Sequence, residues 1–127
     1  MGFQILIVDD SPVTRKMVRR ALASCGLQLD EVHEAADGAE ALALLATRRV
    51  DLVLADVNMP VMGGEELVER MARDPGLAGI PVIVVATPTS EERVRRLLAA
   101  GARAYIAKPF GHDALRDAVV GVLRGKP

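Results

Sequence analysis

The strongest constraint on the fold is an alternation. Short apolar runs rich in β-branched residues take turns with longer stretches of helical spacing. Strand-like runs stand at Phe3–Val8, Asp51–Ala55, Ile80–Ala86 and Arg103–Ala107. A weaker one, Glu31–Ala35, alternates apolar and polar residues and is expected at a sheet edge. In the first helical stretch Val13, Met17 and Leu22 are expected near one face, with Arg15, Lys16, Arg19 and Arg20 largely on the other. Ser11-Pro12 reads as an N-cap and first turn, and Gly26 as a stop. Asp37 is expected to cap the second helix, Gly63-Gly64 to loosen the start of the third, and Ser90 to cap the fourth, which ends at Gly101. The fifth helix is expected from near His112 to Arg124. Strict strand–helix alternation implies parallel strands with helices on both faces. We therefore expect one α/β domain over residues 1–127, a three-layer α/β/α doubly wound sheet of five parallel strands in the order 2-1-3-4-5. Its site should lie beyond the strand C-termini, where the winding reverses.

Composition removes several function classes. The chain has 127 residues, 50% of them hydrophobic, enough for an aliphatic core. Sixteen Lys and Arg against 17 Asp and Glu leave a net charge of −1, which with the hydrophobic fraction excludes a disordered polar tail, and it excludes a generally basic nucleic-acid binder. The apolar runs are too short to cross a membrane, and the N-terminus lacks the features of a signal peptide. The single Cys25 cannot make an internal disulfide, and no zinc spacing is present. A cytoplasmic location follows as the expectation.

Chemistry collects at the strand ends. The first strand runs into Asp9-Asp10, the third into Asp56 followed by Asn58-Met59-Pro60, and the fifth into Lys108-Pro109. A lone aspartate there is ordinarily a turn or cap residue. Three on neighbouring strands facing a lysine need another explanation. Two like charges about 4 Å apart repel by roughly 4 kcal/mol at an effective dielectric near 20. Such a cluster calls for a proton or a cation, and hard oxygen ligands with room for water suit Mg²⁺. With Mg²⁺ and a lysine to neutralise a phosphoryl group, a central carboxylate can act as nucleophile.

These residues resemble the receiver domain of bacterial two-component response regulators, the CheY-like family. The likeness covers the whole chain and rests on Asp9-Asp10, Asp56 with Asn58-Met59-Pro60, Met62, Gly64, Tyr105 and Lys108-Pro109-Phe110. The resemblance implies that Asp56 accepts a phosphoryl group from a histidine kinase. It implies that Asp10, Asp56 and the main-chain oxygen of Asn58 hold Mg²⁺, with Asp9 acting through water. Lys108 would pair with the phosphoryl oxygens, next to a cis Lys108–Pro109 bond, and Tyr105 would turn inward on activation. Such a domain is not an enzyme beyond its own phosphorylation and dephosphorylation. It would signal by docking a protein partner on the face of the fourth helix, fifth strand and fifth helix, as a monomer or weak dimer.

One position departs from the family pattern. The family carries Thr or Ser at the end of the fourth strand, five places after the proline that opens it. Counting from Pro81 puts Ala86 there. Thr87 reaches the position only by local rearrangement, since neighbouring strand residues face opposite ways. Phosphorylation with attenuated switching is the expectation. Thr87 and Pro88 should also crowd and stiffen the loop that continues through Thr89 to Ser90. Gly63, where the family commonly has Asp, is expected only to add flexibility.

Other features have plainer readings. Arg93, Arg95, Arg96 and Arg103 form either a solvated basic face or part of the docking surface. Met59 and Met62 read as core and loop filler, His33 as an exposed strand residue, His112 as a helix-start residue, and Cys25 as a half-buried hydrophobe. Two other function classes stay open. One is a phosphorylation-independent binding module, favoured by Ala86 and opposed by the intact acidic trio with Lys108. The other is a Mg²⁺-dependent aspartyl phosphatase of the haloacid dehalogenase type, opposed by Asn58 and by the short chain. A flavodoxin-like phosphate cradle is excluded, because the first strand leads into Asp9-Asp10.

Overall fold

The computed structural model describes residues 2–87 and 90–124. In chain order the elements are β1 (Phe3–Val8), α1 (Pro12–Ala23), β2 (Leu29–Ala35), α2 (Gly38–Leu45), β3 (Leu52–Asp56), α3 (Gly64–Arg73), β4 (Val82–Ala86), α4 (Glu91–Ala100), β5 (Ala104–Ala107) and α5 (His112–Arg124). All neighbouring strands are parallel and the sheet order is β2-β1-β3-β4-β5, as the alternation predicts. β2 begins two residues before the expected run, pairing Phe3 with Leu29 ahead of a register shift.

Strand periodicity builds two cores. Leu6, Val8, Val53, Ala55, Val82, Val84 and Ala86 point to one face and pack with Leu45, Leu67, Val68, Met71 and Leu97 of α2, α3 and α4. Their sequence neighbours Ile5, Ile7, Leu52, Leu54, Ile83 and Val85 point the other way, against Val18, Ala21 and Leu22 of α1 and Leu115 and Val119 of α5. The central strands β3 and β4 are buried throughout, which is what a sheet covered on both sides requires.

The caps are those the sequence signals. The Ser11, Asp37 and Ser90 side chains accept hydrogen bonds from the N–H groups of Thr14, Glu40 and Arg93, and Pro12 opens α1. Gly101 ends α4 with φ at 133°, a conformation that favours glycine.

Four expectations fail. In α1 the buried stripe is Val18, Ala21 and Leu22, while Val13 and Met17 are 68% and 51% exposed. Residues one turn apart at 18, 21 and 22 fix the inward direction, and Val13 and Met17 lie well off it. That rotation also turns Arg15 toward the sheet. Gly63 and Gly64 do not loosen α3. A Cβ at Gly64 would stand 2.3 Å from the Asp56 carbonyl oxygen, and one at Gly63 would stand 2.5 Å from that of Val57. The glycines let α3 start directly against the end of β3, and the Gly64 N–H donates to Val57 O. His33 is largely covered rather than exposed, its Nε2 3.3 Å from Glu31 Oε1 but outside hydrogen-bonding geometry. Cys25 is fully buried. Met62 is buried and Met59 packs against the same core, as expected. The expectations for Pro88 and Thr89 lie outside the described residues.

Candidate functional site

Each candidate side chain stands at the C-terminal rim of the sheet. Asp9 and Asp10 follow β1, Asp56 is the last residue of β3, and Lys108 follows β5. Their ligand oxygens gather: one carboxylate oxygen from each of Asp9, Asp10 and Asp56 lies within 4.8 Å of the others. Asp9 and Asp56 are 4% and 7% exposed and are the buried charged residues of the described chain, whereas Asp10 faces solvent. Lys108 Nζ lies 3.1 Å from Asp9 Oδ2 and 3.5 Å from Asp56 Oδ1, so the ammonium sits between two buried carboxylates. The Lys108–Pro109 peptide is cis, as the resemblance implies.

Asp9 is held on every side. Its Oδ1 accepts from the Ser11 N–H at 2.9 Å and its Oδ2 from Lys108. Its own N–H donates to Ala35 O at 3.0 Å, and its carbonyl accepts from Arg15 at 2.5 Å. At the same rim, the loop after Asp56 makes a tight turn at Val61. There φ is 66° and the Met62 N–H reaches Pro60 O at 2.6 Å, a strained γ-turn for a β-branched residue.

The donor set suits a hard cation. Three carboxylates each bring an oxygen within 4.8 Å of the others, close enough to share one cation, and the exposed Asp10 leaves room for water ligands. Burial pushes the Asp56 carboxyl above its ordinary range, and the Asp9 carboxylate adds to the push; Lys108 and the Asn58 N–H oppose it. An acid whose folded-state pKa is raised loses its proton first in the unfolded chain. Stability therefore falls as pH rises from the unfolded value through the folded one, and the deficit persists at neutral pH. In a chelating buffer, Asp56→Asn is expected to melt a few degrees above the wild-type protein at pH 7. The gap should close as pH approaches 4. Melting curves across that range check it, and a wild-type protein that melts higher at pH 7 contradicts it.

The end of β4 borders the same rim. Ala86 is buried at the end of β4, and its carbonyl accepts from the Lys108 N–H at 2.7 Å. Thr87 is exposed. The Tyr105 hydroxyl donates to the main-chain oxygen of Thr87 at 3.1 Å, tying β5 to the loop after β4. Sequence reasoning missed Arg15 as a member of this neighbourhood. The available signal was its place five residues beyond Asp10, within side-chain reach of the same loop.

A doubly wound sheet whose C-terminal rim gathers three carboxylates and a lysine defines an α/β domain with an acidic cluster that could hold a metal ion. The chain belongs to the response regulator receiver domain family, whose family model it matches over residues 5–120. It is 36% identical over 121 residues to a chemotaxis protein CheY homolog of Campylobacter jejuni, covering 94% of this chain and 92% of that protein. It is 38% identical over 117 residues to the gliding motility regulatory protein of Myxococcus xanthus. That match covers 91% of this chain and only 15% of the longer relative. The structure of the chemotaxis response regulator CheY4 of Vibrio cholerae superposes with a TM-score of 0.86 at 37% identity, over 97% of this chain and 100% of that one. Among the described residues, no helix is long and apolar enough to cross a membrane.

Proposed function

We propose that Asp56 is the phosphoacceptor of a two-component signalling step, with a histidine kinase as donor. One Asp56 carboxylate oxygen attacks phosphorus in line. The bond from phosphorus to the donor imidazole nitrogen breaks, its electron pair stays on the imidazole, and an acyl phosphate forms on Asp56. Asp10, Asp56 and the main-chain oxygen of Asn58 would hold Mg²⁺, with Asp9 behind a water, and the ion would neutralise charge on the phosphoryl oxygens. Lys108 is poised to leave its carboxylate partners for the incoming phosphoryl group. The observation that carries this reading is the Lys108 ammonium within 3.1 and 3.5 Å of two buried carboxylates of the acidic trio. Two buried carboxylates whose repulsion needs an ammonium to offset it form a site suited to an anionic reactant and its cation.

The domain then signals by docking a protein partner on the face of α4, β5 and α5, where Arg95, Arg96 and Arg103 are exposed. It catalyses nothing beyond its own phosphorylation and dephosphorylation. Ala86 favours an attenuated switch, because a methyl group cannot bond a phosphoryl oxygen. The Tyr105 bond to Thr87, made with no hydroxyl at position 86, also supports a second reading as a phosphorylation-independent binding module.

Intact-mass measurement after incubation with Mg²⁺ and acetyl phosphate tests the first reading. One phosphoryl adduct is expected on the wild-type protein and none on Asp56→Asn or in chelator. No adduct on the wild-type protein overturns it and leaves the binding module. Continuous release of phosphate from simple esters would favour the phosphatase class instead.

A further inference from the structure

Edge strand β2 contributes nothing to the acidic trio, yet two of its consecutive residues brace it. The Ala35 carbonyl accepts the Asp9 N–H. Glu34, its neighbour, accepts from Arg15 Nε at 2.7 Å, and Arg15 Nη1 donates to the Asp9 carbonyl at 2.5 Å. Arg15 is only 17% exposed on its side chain, unlike the other arginine on this carboxylate, Arg19, which is 47% exposed. Arg19 bonds the second Glu34 oxygen and the Val32 carbonyl, further from the rim. Both arginines therefore link α1 to β2, but only Arg15 touches the site.

The atom that Arg15 holds decides its role. The Asp9 carbonyl belongs to the peptide joining Asp9 to Asp10, and holding that plane constrains the backbone from which the Asp10 side chain leaves the chain. Among the described residues, no hydrogen bond or ion pair holds the Asp10 carboxylate itself. Its aim toward Asp56 thus depends on the peptide before it. A guanidinium bound to a carbonyl, moreover, takes up no carboxylate oxygen of the trio, whereas Lys108 engages one of Asp9 and one of Asp56. The planar fork spans Glu34 and Asp9 at once, which a lysine ammonium cannot do with the same geometry.

We propose that Arg15, anchored on Glu34, is a positioning residue for the cation site, setting the Asp9–Asp10 peptide so that both carboxylates face Asp56. The inference rests on the cation reading of the trio, and its test separates the two. Mg²⁺ affinity is measured by calorimetry on the unphosphorylated protein, alongside melting curves in chelator, for the wild type, Arg15→Lys and Arg19→Lys. Outer partners of metal ligands are worth about 10–100-fold in affinity. Arg15→Lys, which keeps the charge and loses the fork, is expected to bind Mg²⁺ about tenfold more weakly. Arg19→Lys should lose comparable stability and keep wild-type affinity. Equal affinity in Arg15→Lys and the wild type overturns the proposal while leaving the cation site standing. Equal losses of affinity in both variants overturn it too, since Arg15 is then only a strut between α1 and β2. A wild-type protein that binds no Mg²⁺ overturns the cation reading along with it.

Discussion

Replacing Lys108 with alanine is expected to slow adduct formation from acetyl phosphate by about 100-fold, the scale on which a preorganised charge at a developing anion operates. The same change should tighten Mg²⁺ binding, and this opposite sign is its signature. In the resting site the ammonium stands 3.1 Å from one carboxylate and 3.5 Å from another, where it neutralises charge that a divalent cation would otherwise neutralise. Removing it restores the full repulsion within the trio, and a cation relieves that repulsion. A purely structural lysine would lower both properties together. Time courses by intact mass and calorimetric titration on one variant decide between these. Parallel loss of rate and of Mg²⁺ affinity refutes the assignment of Lys108 to the phosphoryl group.

The second large effect is expected at Ala86. A hydrogen bond to a charged group contributes about 1.5–3 kcal/mol, or about 10- to 150-fold in an equilibrium. Shifting a two-state switch from 1:99 to 99:1 takes roughly 5.5 kcal/mol, so one hydroxyl supplies about a quarter to a half of it. Ala86→Thr should therefore increase, at least tenfold, the equilibrium constant by which phosphorylation moves Tyr105. The chain has one Tyr and no Trp, so the fluorescence of Tyr105 reads this change with little background. Position 86 is buried, and added volume there costs stability whatever its chemistry. Ala86→Val, with the shape of threonine and no hydroxyl, controls for this. If the valine and threonine variants respond alike, the coupling does not run through a hydroxyl at this position.

Much of the molecule is legible in the sequence, for identifiable reasons. Continuous apolar strands are readable because β3 and β4 are covered on both faces, and the alternation of strands and helices leaves few topologies. The trio and Lys108 are readable because parallel strands bring all their C-termini to one rim. What stays hidden depends on rotation and close approach. Val13 and Met17 are apolar, but helical phase is set by Val18, Ala21 and Leu22, and two exposed apolar residues mislead a short count. The role of Gly63 and Gly64 follows from the carbonyls of Asp56, which ends β3, and of Val57 just after it, lying within 2.5 Å of where their Cβ atoms would be, which no composition rule reveals. Arg15 looked like solvated charge because the sequence does not show that Glu34, 19 residues away, would meet it.

The bond between Lys108 and Asp9 joins residues 99 positions apart. Chemistry at the rim consequently exists only while the first and last strands are both docked on the centre of the sheet. Fraying of β5 and α5, at a sheet edge, would withdraw the ammonium and leave the carboxylates where they are. With Asp56 as the proposed phosphoacceptor, reactivity toward a phosphodonor would gauge the cooperative integrity of the whole chain, reporting on its C-terminal quarter as faithfully as on Asp56 itself.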